Sequence, residues 1–142
     1  MRAFKIVYSI LALNFFIPAL FHSLAPQAAA QSFMDLGLPF GVTSYPFSEE
    51  SMFWRVLGIG NVATLGFCCA LLLRDLKSNY PVLVPLVFLK SISVIGFACD
   101  YFSHWHPAFI VAVFFDGITL WAMIYFARRG YRELSVGEEI TS

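Results

Sequence analysis

The sequence predicts an all-α integral membrane protein, a bundle of four transmembrane helices, and three observations lead there. Of 142 residues, 59 % are hydrophobic and only 13 % charged, about half the charged fraction of a soluble domain. The apolar residues gather into four blocks, at about 6–24, 52–73, 81–99 and 107–127. Each block is about 20 residues long, which at 1.5 Å rise per residue crosses ~30 Å of hydrocarbon. The basic residues, finally, avoid two of the connections between blocks altogether.

The first block opens on Arg2 and Lys5, Arg74 and Lys77 separate the second from the third, and Arg128, Arg129 and Arg132 follow the fourth. Residues 23–51 and 100–106 hold no Lys or Arg. Under the positive-inside rule both termini are then cytoplasmic, in a bacterial-type plasma membrane. Tyr8, Tyr80, Tyr125 and Tyr131 fit the inner interface, and Trp54, Tyr101 and Trp105 the outer one. A second reading exists for the N-terminus: a basic start, the apolar stretch 6–21 and Ala28-Ala29-Ala30 also resemble a cleavable signal peptide. The apolar stretch is longer than most signal cores, so retention as a span is expected.

The whole chain, 1–142, reads as one domain without internal repeats. Residues 74–80 and 100–106 are short turns, which should make the second, third and fourth spans antiparallel neighbours. Pro81 and Pro107 stand where a helix can open without losing a hydrogen bond. Ser48-Glu49-Glu50-Ser51 has the composition of an N-cap with acidic residues at the dipole-positive end of the second span. The external connection, 25–51, is expected to be irregular and to lie on the membrane surface or over the outer helix ends, because Phe33, Met34, Leu36, Leu38, Phe40 and Phe47 accompany its prolines and glycines. Gly130 suggests a helix end, with 128–142 as a cytoplasmic tail. Gly58, Gly60, Ala63, Gly66 and Ala70 give the second span small residues for close helix contact.

Two polar groupings stand out. Lys90 lies ten residues before Asp100 and Asp116 nine after Pro107, so in helices joined by a tight turn both sit ~14–15 Å below the outer end. Ionisable groups at that depth face protein or water rather than lipid and are functional candidates. Asn14 in the first span and Asn61 in the second share the depth, with Ser93 and Thr119 one turn from the charges. A polar layer from all four helices is therefore expected, either as a site for a proton, ion or small polar ligand or as a device fixing helix registry. The second grouping is at the outer face, where Arg55 could pair with Asp100. His22, Asp100, His104 and His106 could there offer oxygen and nitrogen ligands to a metal, although no H-E-x-x-H or facial-triad spacing is present.

Catalytic signatures are missing. Gly58-x-Gly60 lies inside an apolar helix rather than after a strand, and no nucleophile elbow occurs. Cys68, Cys69 and Cys99 form no CxxC pair and read as packing residues. The few basic residues are juxtamembrane, favouring lipid headgroups over nucleic acid. A four-helix exporter of the small multidrug-resistance type would carry an acidic residue in its first span, where this chain has Asn14. The sequence thus points to a non-enzymatic accessory or assembly subunit of a membrane complex, with the bilayer and other subunits or further copies of the chain as partners. The alternatives are a small transporter or proton-binding bundle using Lys90 and Asp116, and a metal-binding or redox subunit centred on the outer-face histidines.

Overall fold

Side-chain burial along the first helix shows how the bundle is put together. The computed structural model describes residues 1–42 and 52–141, apart from the side chains of 30, 33, 34, 52–57 and 137–141. Among the described residues five α-helices run in order: α1 (Arg2–Leu24), α2 (Pro26–Met34), α3 (Met52–Arg74), α4 (Leu83–His104) and α5 (Pro107–Thr141). Short 3-10 turns occupy Asp35–Phe40 and Tyr80–Val82, and no strand occurs among the described residues. On α1, Phe4, Tyr8, Leu11, Ala12, Phe15 and Ala19 are buried, the three-and-four spacing of one helical face. The opposite face (Ile6, Ile10, Leu13, Ile17 and Leu20) is more than half exposed and equally apolar. A helix apolar on all sides belongs in a bilayer or deep in a large core.

The same outward apolarity continues through Phe88, Ile92 and Ile95 on α4 and Phe114, Ile118 and Trp121 on α5. Among the described residues three helical stretches are long and apolar enough to cross a membrane: Arg2–Leu24, Tyr80–His104 and Pro107–Val136. On α3 the apolar stretch described is Gly58–Arg74, which is shorter.

The core joins α1 to α3 and α4 to α5, with α1 also resting on α5. This differs from a simple meander: α3 leans on α1 and touches α4 little. Short loops bring neighbouring ends together but do not decide which faces pack along the length. Leu65, Cys69 and Leu72 of α3 enter the core beside Tyr8 and Phe15 of α1. The small residue that makes this approach possible is Gly66, since a Cβ there would stand 3.1 Å from the Phe16 ring. At Gly58 and Gly60 a Cβ would meet nothing within 4 Å among the described residues, so the close approach of α3 to α1 does not depend on them.

Three sequence expectations are corrected. Residues 26–40 are helical rather than irregular, in α2 and the 3-10 turn after it; the Ser48–Ser51 cap motif, as part of 43–51, lies outside the described residues. Gly130 does not end a helix, because α5 continues to Thr141. Its role is proximity: a Cβ on Gly130 would lie 3.0 Å from Leu76 Cδ2 and 3.1 Å from Phe4 Cβ. The third correction concerns 100–106, since α4 extends to His104. Only Trp105, left-handed at φ 52°, and His106 separate it from Pro107, the first residue of α5.

At the end of the bundle carrying the basic residues, the α3–α4 turn is closed by side chains. Asp75 accepts from the Ser78 backbone N–H at 3.0 Å and from Ser78 Oγ at 2.6 Å. Asn79 Nδ2 donates to the Leu71 carbonyl in the last turn of α3 at 3.0 Å and to the Asp75 carbonyl just beyond it at 2.9 Å. The Ser78 hydrogen bonds, side-chain first, hold the Asp75 carboxyl below its ordinary range, with the Arg74 charge adding a smaller effect. The Met1 ammonium pairs with Glu133 across the same end, and the Tyr80 and Tyr131 rings stand 4.4 Å apart.

Candidate functional site

Lys90 and Asp116 meet as their positions along α4 and α5 require. Lys90 Nζ donates to Asp116 Oδ1 at 2.5 Å. The residues are 8 % and 7 % exposed, in a bundle whose surrounding surface is apolar. Phe15 of α1 completes the setting, its ring centroid 5.0 Å from Lys90 Nζ, within the distance at which a cation gains from an aromatic face. Three helices therefore converge on one charge pair. Thr119, one turn along α5 from Asp116, is buried beside it in sequence.

The arrangement is self-contained. A charge pair in a low-dielectric interior offsets its desolvation only when geometry is good and remaining valences are met. Here the distance is short, and no fully buried polar side-chain atom among the described residues lacks a hydrogen-bond partner. Neighbouring hydroxyls act locally: Ser91 Oγ donates to the Val87 carbonyl at 2.8 Å and Ser93 Oγ to Leu89 at 3.2 Å. Such i to i−4 bonds use each serine's donor within its own helix.

The wider polar layer does not close around the pair. Asn14 is half-buried and Asn61 exposed, and the only side-chain hydrogen bond of Lys90 and Asp116 among the described residues runs between them. Depth alone placed the two asparagines at this level; coverage decides whether they are enclosed. Around Asn61 the helix is open, as its glycine neighbours show. Asn14 has a different local feature, because Pro18 stands four residues on and has no N–H to give the Asn14 carbonyl.

At the opposite end of the bundle from the basic residues, the histidines go separate ways. His22 Nδ1 lies 2.9 Å from the Pro18 carbonyl of its own helix. His104 is exposed and His106 buried, with left-handed Trp105 between them. The Ala108 N–H donates to His106 Nδ1 at 3.2 Å, so the imidazole takes the place of an N-cap acceptor for α5. Accepting that bond requires a lone pair on Nδ1, which puts the proton of the neutral ring on Nε2. Gly37 of the 3-10 turn packs on this ring, where a Cβ would be 3.1 Å from His106 Nε2. Asp100 is half-buried near the end of α4, and the side chain of Arg55 lies outside the described residues. Among the described residues no three His, Cys, Asp or Glu side chains form a metal-binding group, so His22, Asp100, His104 and His106 are not assembled into one.

Sequence reasoning missed Phe15 and placed Tyr8 only at the inner interface. Tyr8 is fully buried, and its hydroxyl donates to the Met123 carbonyl of α5 at 2.8 Å. Periodicity could not find this, because α1 is apolar on every face and its rotation is set by α3 and α5. Two of the grooves formed among the described residues bear on the site. One, of about 380 Å³, runs along the apolar surface between α4 and α5, past Val94, Val113, Phe114, Gly117, Ile118 and Trp121. The other, of about 250 Å³, lies at the basic end and is taken up below. Neither is lined by Lys90 or Asp116.

Comparison with known protein families, characterised proteins and solved structures finds no match to this chain. What stands is the class: an all-helical protein with three apolar helices of membrane-spanning length and a buried Lys90–Asp116 salt bridge.

Proposed function

We propose that the protein is a small four-span subunit of a bacterial-type plasma membrane, with α3 as the further span and both termini cytoplasmic. Its role is to assemble with or support a larger membrane complex rather than to catalyse a reaction. The observation that carries this reading is the closed Lys90–Asp116 pair. Each charge is partnered by the other, under Phe15, and neither lines the grooves between the helices. The pair then sets the rotation of α4 and α5 and fixes them against α1, a registry role that buried ionic groups can fill. Supporting the orientation is the gathering of Lys5, Arg74 and the end of α5 at one end of the bundle, in keeping with the positive-inside rule.

Extraction in mild detergent followed by tagged purification tests the proposal. A stoichiometric membrane partner is the expected result. A chain that purifies alone, is stable alone, and loses proton or solute coupling in both Lys90→Met and Asp116→Asn would instead make the pair a working site.

A further inference from the structure

The cleft at the basic end combines features not needed for the role above. It is lined by Met1, by Phe4 and Lys5 of α1, by Leu72, Leu73 and Arg74 at the end of α3, by Asp75 and Leu76, and by Leu134 of α5. Its character is divided. Phe4, Leu72 and Leu76 are buried behind it, Leu73 and Leu134 are partly exposed, and Lys5 and Arg74 bring exposed cations to it. Neither cation has a hydrogen bond or ion pair among the described residues, apart from the influence of Arg74 on Asp75. The carboxylate in the lining, Asp75, accepts from Ser78 through both oxygens and keeps its negative charge, so Lys5 and Arg74 exceed it by one positive charge. Glu133, nearby in the bundle, is held by the Met1 ammonium and by Arg129. The N-terminal N–H groups of α1 open here too, and no side chain caps them; uncapped helix N-termini favour negative charge.

We infer that this cleft seats the headgroup of an anionic phospholipid, the phosphate between Lys5 and Arg74 and the glycerol against Leu73 and Leu134. Charge complementarity selects the occupant. A volume of about 250 Å³ is below the usual range for drug-sized ligands and suits a headgroup whose acyl chains leave along the apolar bundle surface. The inference rests on the membrane orientation proposed above, because the basic end must lie at the anionic cytoplasmic leaflet.

The test is the thermal midpoint of the purified full-length protein in neutral detergent, titrated separately with phosphatidylglycerol, phosphatidylcholine and inorganic phosphate. Phosphatidylglycerol should raise the midpoint at concentrations where the other two do not. In Lys5→Gln/Arg74→Gln, apparent affinity for phosphatidylglycerol should fall about 30-fold, at roughly fivefold per basic side chain. Arg128→Gln/Arg132→Gln, outside the cleft, should respond like the parent. Equal stabilisation by phosphatidylcholine overturns the inference, as does an unchanged response in the Lys5/Arg74 variant, or equal loss in the Arg128/Arg132 variant, which would mean diffuse charge attraction. An equal effect of inorganic phosphate also overturns it, assigning the cleft to a free anion. None of these outcomes depends on finding a protein partner. A cytoplasmic-side label that reaches the opposite end of the bundle would mark failure of the orientation instead.

Discussion

Tyr8 and Met123, 115 positions apart, are joined by a buried hydrogen bond from the phenol to the backbone carbonyl at 2.8 Å. It ties α1 to α5, next to the core contacts that tie α1 to α3. With Phe15 under Lys90, it makes α1 the element on which both halves of the bundle rest. Removing only the hydroxyl, in Tyr8→Phe, should cost about 0.5–1.5 kcal/mol. Tyr8→Ala should cost about 3–5 kcal/mol, because a cavity is added. Unfolding by denaturing detergent against a mild-detergent background measures both.

The central place of α1 bears on processing. Cleavage after Ala30 would remove Tyr8, Phe15 and the rest of the buried α1 face. Intact-mass measurement of the protein recovered from membranes is expected to include residues 1–30, and a mass corresponding to cleavage there would be incompatible with this core.

Glycines of the two kinds should respond in opposite directions. Gly130→Val forces side-chain carbon into Leu76 and Phe4, at about 1–3 kcal/mol. At Gly96 and Gly117 a Cβ meets nothing within 4 Å, so alanine there should be neutral or stabilise by up to about 1 kcal/mol through helix propensity. Thermal midpoints of the three variants, compared in one detergent, check the sign of each.

Asp75 predicts a pH dependence with a definite sign. Its folded carboxyl is held below the ordinary 3.8 by the Ser78 bonds. The unfolded chain therefore takes up the proton first as pH falls, and the stabilising contribution, complete above about pH 5, is lost progressively below 3.8. Asp75→Asn should flatten that part of the profile. Midpoints measured from pH 6 down to pH 3, wild type against variant, would show the difference, which should be small because the group is exposed.

Much of this was legible in the sequence, for identifiable reasons. Length and apolarity marked the three long spans, and equal distance from a tight turn put Lys90 opposite Asp116. Both depend on rise per residue alone. What was not legible depends on rotation and on neighbours distant in sequence. Asn14 and Asn61 share the depth of the pair but not its enclosure. Gly130 has the composition of a helix end, yet its lack of a side chain serves Phe4 and Leu76, which arrive from two other parts of the chain. The pairing of α1 with α3 likewise required shape matching at Gly66 and Phe16, which periodicity does not report. The histidines were grouped by closeness in sequence, whereas the left-handed turn at Trp105 sends His104 outward and His106 inward.

The central claim, that Lys90 and Asp116 act as a structural clamp, is tested most directly by a double-mutant cycle with Lys90→Met, Asp116→Leu and the combined variant, read as unfolding free energy in mixed micelles. Each single change leaves a buried charge without its partner and should cost about 3–5 kcal/mol. The combined variant, with no charge left to bury, should return to within about 1 kcal/mol of wild type, giving a large favourable coupling with partner association retained. Single variants as stable as wild type, or a combined variant that is stable yet has lost the protein's activity in the cell, would contradict the clamp.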